Sequence, residues 1–343
     1  MRAAVYYSNK DVRVEERPVP KIGPGEILFK VMASGICGSD VLEWYRLKRA
    51  PLILGHEVAG EIADTGEGVE GWKKGDRVVA AHHVPCNTCY YCRRGHPTAC
   101  DTLRGTNFDP GGFAEYVRLP AINVDRGLCA LPDEVSYAEG SLTEPLACVL
   151  RGQRICGVRP GDSVLVLGSG ISGLLHIDYA RATGAGRIMA TDIAPYRMEA
   201  AKKFGAEVVL HADEDIPARV REVNDGRLAD RVLVCTGNAK ANQQALACVE
   251  RGGTVLYFAF VDPGVTVSLD VGSVMLRNDI TLTTSYAGSP ADSAEAVELI
   301  RAGRVRAEDM ITHRLSLEEA TKGFGLVAGA GESIKVVLEP HRE

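Results

Sequence analysis

The chain has 343 residues, of which 45% are hydrophobic and 24% charged, so it is an ordinary globular composition long enough for two cores. A net charge of −6 argues against a nucleic-acid partner, which shows as a basic patch or a basic domain. No stretch of ~18 apolar residues occurs, which excludes a membrane-spanning helix, and the start, Met1-Arg2-Ala3-Ala4-Val5-Tyr6-Tyr7, reads as a short strand rather than a signal peptide.

Residues 1–130 hold short extended runs punctuated by Gly and Pro, among them 26–31, 77–80 and 113–117. They predict an all-β body, a partly open barrel. Within it lie Cys37-Gly38-Ser39-Asp40 and, a little further on, Gly55-His56-Glu57. A thiolate, an imidazole and a carboxylate on one segment, beside a hydroxyl and a second carboxylate, suit a zinc ion that keeps a position open to substrate. Next come Cys86, Cys89, Cys92 and Cys100, spaced C-x2-C-x2-C-x7-C. Four thiolates at this density can close a tetrahedron around zinc. The rival is an iron–sulfur cluster. The bacterial ferredoxin run, however, has a three-residue last gap and a Pro after it, where this chain has seven residues and Asp101. The other cysteines of the ten (Cys129, Cys148, Cys156, Cys235 and Cys248) are scattered and read as small apolar core residues. In a chain neither short nor visibly secreted, free thiols point to the cytoplasm.

Around Asp162 the pattern changes. Apolar runs at 163–167, 187–191, 207–210, 231–235 and 254–260 alternate with helical segments at 171–183, 195–204, 215–223 and 239–251. Such alternation predicts a parallel sheet with helices on both faces. Gly168-Ser169-Gly170-Ile171-Ser172-Gly173 follows the first apolar run and opens a helix. This is the context in which G-x-G-x-x-G cradles a dinucleotide pyrophosphate at a helix N-terminus. Asp192 closes the next run, nineteen residues past Gly173, where a carboxylate binds the ribose 2′-hydroxyl and repels a 2′-phosphate. NAD is therefore favoured over NADP. Arg197 can pack against the adenine or answer Asp192, and it leaves room for some NADP use. Segments 290–302 and 317–328 read as helices and 334–338 as a closing strand. The expected division is 1–150 with 290–343 as the catalytic domain and 151–289 as the dinucleotide domain.

Gly55-His56-Glu57 with Gly60, Gly66 and Val69 fits G-H-E-x2-G-x5-G-x2-V at every fixed position, and Gly75-Asp76-Arg77-Val78 follows. With the cysteine lobe, Glu144-Pro145-Leu146 and the glycine loop in the same order, the whole chain resembles the medium-chain zinc-dependent alcohol dehydrogenases, nearest their sorbitol and threonine dehydrogenase branch. The resemblance implies a GroES-like partly open β-barrel catalytic domain joined to a Rossmann doubly wound parallel sheet. It implies two zinc ions per chain, one catalytic and one structural, and NAD. Cys37 and His56 resemble catalytic zinc ligands, with Glu144 standing where simple alcohol dehydrogenases have a Cys. Glu57 resembles the carboxylate that joins the zinc as ligands exchange, and Asp40 the acceptor that orients His56. Thr236 and the segment Phe258-Ala259-Phe260 match positions lining the nicotinamide, mostly through backbone.

The implied reaction oxidises a secondary alcohol, a polyol or sugar alcohol, with hydride passing to NAD and Ser39 accepting the proton. Relatives often carry a His three residues beyond Ser39, and here Leu42 stands there, which counts against threonine. Glu43, Tyr45, a ribose hydroxyl or water can take over the proton. Trp44 and Tyr45 can wall the pocket or belong to the core, and Phe108 lies on a loop that can approach substrate. Arg46, Lys48 and Arg49 read as a solvated loop, with an anionic substrate as the sharper alternative. Competing readings are a reductase of an aldehyde or ketone, and an inactive zinc- and NAD-binding module. The family implies a homodimer or homotetramer, with 274–286 as a candidate pairing edge.

Overall fold

Burial alternates along the strand Ile27–Gly35, with Ile27, Phe29, Val31 and Ala33 buried and the residues between them partly exposed. That is the period-2 signature of a strand with one face on a core. In the computed structural model, which describes residues 1–342, this strand organises the first of two compact units, Met1–Ala147 with Ala287–Glu343; the second is Cys148–Tyr286.

In the first unit a seven-stranded sheet runs Ile311–Leu315, Lys335–Leu338, Ile27–Gly35, Glu57–Thr65, Arg77–Ala80 and Leu128–Ala130, with Tyr116–Leu119 also pairing Ile27–Gly35. One long strand thus serves three partners: Tyr116–Leu119 along its first half, Lys335–Leu338 at its end, and Glu57–Thr65 throughout. A second sheet of three strands holds Asp11–Glu16, Arg2–Ser8 and Leu52–Ile53. The sheets enclose two apolar clusters, one around Tyr6, Ile36, Phe113 and Phe324, the other around Phe29, Val31, Ile62 and Val78. Where the central strands cross most closely, a Cβ on Gly60 would lie 2.0 Å from the Lys30 carbonyl oxygen, so only glycine fits.

The second unit is a six-stranded, wholly parallel sheet in the order Val208–His211, Ile188–Asp192, Val164–Leu167, Ala229–Val234, Val249–Tyr257, Thr281–Thr284. Numbered along the chain within the unit, this is 3-2-1-4-5-6, the Rossmann order, which reverses direction beside its first strand. Val164–Leu167 is buried throughout, as a strand covered on both faces must be. The covering helices include Ile171–Ala182, Pro195–Phe204, Ile216–Val223 and Ala239–Cys248. Pro195 opens its helix, and Gly205 closes it in the left-handed region at φ 113°.

Several boundaries differ from the sequence expectation. A fourteen-residue helix, Thr143–Cys156, was not anticipated. Pro145 looks like a breaker, but it falls in the first turn, where a backbone N–H would have no helical partner anyway. The strand expected at 113–117 forms instead at Tyr116–Leu119, because Phe113 is drawn into the core while its backbone bonds Leu54 and Ala4. The helix expected over 239–251 stops at Cys248, where Val249 turns extended and begins a strand. Among the described residues no helix is long and apolar enough to cross a membrane.

In the second unit His176 is fully buried, its ring 4.6 Å from that of Phe258, with Gln153 donating to its backbone carbonyl at 2.8 Å. Burial pushes its imidazole down to about 3. The unfolded chain therefore binds a proton near pH 6.5 that the folded unit refuses. The stability this histidine leaves intact at neutral pH is lost progressively as pH falls below 6.5, by about 1.4 kcal/mol per pH unit. Replacing it, as in His176→Gln, is expected to flatten the pH dependence of this unit's denaturation midpoint between pH 6 and 4 by about one proton. An unchanged slope would show that His176 does not set it.

Candidate active site

The pairing of Gly35 with Glu57 brings the two ends of the Cys37–Glu57 segment together. Cys37 caps the single turn Gly38–Val41: the Ser39 N–H donates to its Sγ at 3.4 Å, and its own N–H donates to Asp40 Oδ2 at 3.0 Å. Gly55 turns the chain at φ 99°, where a Cβ would meet the Phe113 nitrogen at 2.6 Å. His56 and Glu57 follow at the head of their strand. One ligand atom each from Cys37, His56 and Glu57 lie within 4.8 Å of one another. Asp40, fully buried, holds Oδ1 3.6 Å from His56 Nδ1. Burial opposes a charged imidazole here, but the carboxylates of Asp40 and Glu144 and the sulfur of Cys37 lift His56 well above its usual 6.5. A pocket that raises a buried histidine so far is one that attracts a cation.

Of the four expected ligands, the structure brings three into this cluster. Glu144, in the first turn of Thr143–Cys156, stands outside it but acts electrostatically on His56 and lines a small cavity with His82, His83 and Ser293. Ser39 is held by Arg46, whose Nη2 donates to Ser39 Oγ and Asp40 Oδ1, both at 3.1 Å, and whose Nε donates to the Ser39 carbonyl at 2.9 Å. Arg46 is thus part of the site, not the solvated loop expected.

Three residues here escaped the sequence reading. The His82 ring lies tilted against those of His56, at 4.9 Å, and His83, at 3.8 Å, with the Phe108 ring 6.2 Å away. Burial pushes His82 well below its usual range and His83 to about 4, so both present neutral imidazoles. Lys335 is buried against Glu57. The signals were two adjacent histidines following the strand Arg77–Ala80, and one charge heading an otherwise apolar strand.

Farther along, the sulfurs of Cys86, Cys89, Cys92 and Cys100 lie within 4.8 Å of one another. Backbone N–H groups point at them: Cys89 donates to Cys86 at 3.3 Å and Cys86 to Cys100 at 3.4 Å. Backbone and hydroxyl bonds from Thr88 draw the Cys86 thiol down to about 5, toward the thiolate that metals bind. This donor set fits a closed tetrahedral zinc.

In the second unit the turn from Val164–Leu167 into Ile171–Ala182 places Gly168 at φ 93° and Gly170 as the helix cap. Ile171, Ser172 and Gly173 form the first helical turn, whose N–H groups have no partner within the helix. Asp192 accepts from the N–H of Ser169 (2.8 Å), Ile193 (2.8 Å) and Ala194 (2.9 Å), which fixes its carboxylate beside the loop. Arg197 reaches to 3.8 Å from where a Gly170 Cβ would be, and the Thr236 side chain to 3.0 Å from a Gly168 Cβ. Phe258 packs inward on His176. The loop, Asp192, Arg197 and Thr236 thus converge at the reversal point of the sheet, where ligands bind in this topology.

Residues 23–132 match the alcohol dehydrogenase GroES-like domain and residues 172–302 the zinc-binding dehydrogenase domain. A sorbitol dehydrogenase of Bacillus subtilis is 33% identical over 100% of this chain and 98% of its own length. The chain belongs to the zinc-dependent medium-chain alcohol dehydrogenase family. An L-threonine 3-dehydrogenase of Pyrococcus abyssi is 36% identical over 94% of this chain and 93% of its own length. The solved alcohol dehydrogenase TADH of Thermus sp. ATN1 is 33% identical, covers 99% of each chain and superposes with a TM-score of 0.88. The dehydrogenase accordingly uses zinc and a nicotinamide dinucleotide, and its two units are the GroES-like and Rossmann domains of the family.

In that Rossmann loop a Cβ on Gly173 would lie 2.0 Å from the Gly168 carbonyl oxygen. Gly173→Ala is expected to cost the loop about 1–3 kcal/mol, a roughly five- to 150-fold loss of dinucleotide affinity. Fluorescence titration with NADH reads it. Affinity equal to wild type would show that the loop does not hold the cofactor.

Proposed function

We propose that this dehydrogenase oxidises a secondary alcohol of the polyol or sugar-alcohol class to the ketone, with NAD as hydride acceptor. The convergence of Cys37, His56 and Glu57, with the carboxylate of Glu144 at its edge, carries this reading. When bound, zinc polarises the hydroxyl and NAD takes the hydride. Cys37, His56 and Glu144 hold the catalytic ion, Glu57 is the exchangeable carboxylate, and Asp40 steadies the His56 ring. Cys86, Cys89, Cys92 and Cys100 hold the structural ion. Ser39 receives the substrate proton; its oxygen, fixed by Arg46, keeps one lone pair for it. Leu42 supplies no imidazole, so the proton leaves Ser39 by another path. The neutral His82 and His83 line the cavity beside Glu144 and offer a hydroxyl-rich substrate additional polar partners.

Gly168, Gly170, Ile171, Ser172 and Gly173 cradle the pyrophosphate, Asp192 selects NAD, and Arg197, Thr236 and Phe258 line the rest of that site. The sorbitol dehydrogenase likeness over the full chain supports the polyol class. The likeness to a threonine dehydrogenase favours a second reading, an amino alcohol. The chain works as a homodimer or homotetramer in the cytoplasm. Support comes from the sheet edge at Thr281–Thr284, which has no neighbour on its outer side among the described residues, and from ten unbridged cysteines.

A panel of polyols, threonine, hydroxy acids and simple alcohols, followed by NADH absorbance, tests the class. Polyols are expected to give the highest kcat/KM, and a preference for threonine would transfer the assignment. Cys37→Ser is expected to lower turnover by about a thousandfold or more and zinc content from two to one, with NAD binding kept. Wild-type rates in that variant would remove the catalytic zinc from Cys37. For Asp192→Ala, the loss of a charge-assisted hydrogen bond is expected to narrow the preference for NAD over NADP by about ten- to hundredfold. An unchanged ratio would assign cofactor choice elsewhere.

A further inference from the structure

The strand Lys335–Leu338 enters the GroES-like unit beside Ile27–Gly35, pairing Val337 with Gly35. Its first side chain turns inward. Lys335 is 1% exposed, its Nζ pairs with Glu57 Oε2, and the same nitrogen donates to the Ile36 carbonyl at 3.1 Å. Glu57 is equally buried. An ammonium at that depth loses its hydration and persists only with a counter-charge and hydrogen-bond partners. The three following residues, Val336, Val337 and Leu338, are fully buried and apolar, so the lysine is a deliberate exception in its strand.

Room for the pair is made by Gly35. A Cβ there would stand 2.0 Å from Glu57 Oε2 and 2.6 Å from Lys335 Cε. Glu57 therefore has two claimants. On one side its carboxylate is within 4.8 Å of the donor atoms of Cys37 and His56; on the other it meets the Lys335 ammonium. The lysine also grips the carbonyl of Ile36, the residue directly before Cys37.

We propose that Lys335 is a positioning residue that holds the Glu57 carboxylate off the catalytic metal and so governs whether that metal takes a further oxygen ligand. The inference rests on the proposed catalytic zinc site at Cys37 and His56. With the ammonium present, each cation has its own partners: the metal has Cys37, His56 and Glu144, and the lysine has Glu57. Without it, the nearest cation left for a buried carboxylate is the metal.

Cobalt(II) in place of zinc reports coordination directly, since its visible bands are strong in four-coordinate sites and weaken as ligands are added. The bands read are those that Cys37→Ser removes, which leaves the four-cysteine site out of the signal. In Lys335→Met these bands are expected to lose intensity as Glu57 moves onto the metal. In Glu57→Gln they are expected to match wild type, because Glu57 is not a ligand while Lys335 holds it. The double variant is expected to match Glu57→Gln alone. A folded Lys335→Met with the wild-type spectrum overturns the proposal. So does a changed spectrum in Glu57→Gln, which decides the matter even if Lys335→Met does not fold. If no cobalt band depends on Cys37, the catalytic-zinc reading itself fails, and the role of Lys335 falls with it for a separate reason.

Discussion

The antiparallel register between Ile27–Gly35 and Glu57–Thr65 is what the metal-binding region depends on. It sets Gly35 opposite Glu57, and the chain leaving one strand and the chain entering the other then lie side by side. Cys37 is two residues past the end of the first strand, and His56 is one residue before the second. That register brings together a thiol and an imidazole nineteen positions apart in the chain. Because side chains alternate across a sheet, a slip by one residue would send Glu57 to the opposite face. Two glycines guard against this. Gly60 permits the close crossing with Lys30, and Gly55 takes the turn against Phe113.

Around that register the charges form a layered arrangement. Asp40 lies beneath His56 and is shared with Arg46; Arg46 also fixes Ser39; Glu57 lies behind the donor cluster and is shared with Lys335. Each of these two buried carboxylates thus has a cationic partner, Arg46 for Asp40 and Lys335 for Glu57. Such groups are costly to bury singly, and they are tolerated here because each is answered. The dinucleotide unit works by a different principle, with backbone N–H groups at a helix start and a carboxylate held by three amides.

What the sequence revealed follows from how local each signal is. The cysteine lobe, the Gly55-His56-Glu57 motif and the Gly168–Gly173 loop are short runs whose chemistry needs fixed spacing, and they could be read directly. The strand-and-helix alternation of the Rossmann unit was legible because its strands are buried on both faces. His82, His83 and Lys335 were not legible. Their roles come from pairings across the sheet, and a histidine or lysine carries no mark of burial in the sequence alone. Arg46 was read as solvated because it sits in a run of cations, yet four residues of helix fold it back over Ser39. The helix Thr143–Cys156 was hidden by Pro145, a breaker in most settings and harmless in a first turn.

In the strand Lys335–Leu338, Val337 lies 302 positions from its partner Gly35, and the strand ties a unit that is interrupted in sequence by the whole of Cys148–Tyr286. The inserted unit is continuous, so on the ribosome it is finished while the barrel still lacks two of its sheet strands, Ile311–Leu315 and Lys335–Leu338. Cys37, His56 and Glu57 emerge early, and the countercharge for Glu57, Lys335, follows only after the whole inserted unit. Until it does, the early barrel holds a carboxylate with no buried partner beside two thiol- and imidazole-bearing residues. A nascent chain of this kind has a long-range closure to wait for, and such closures are slow compared with local ones.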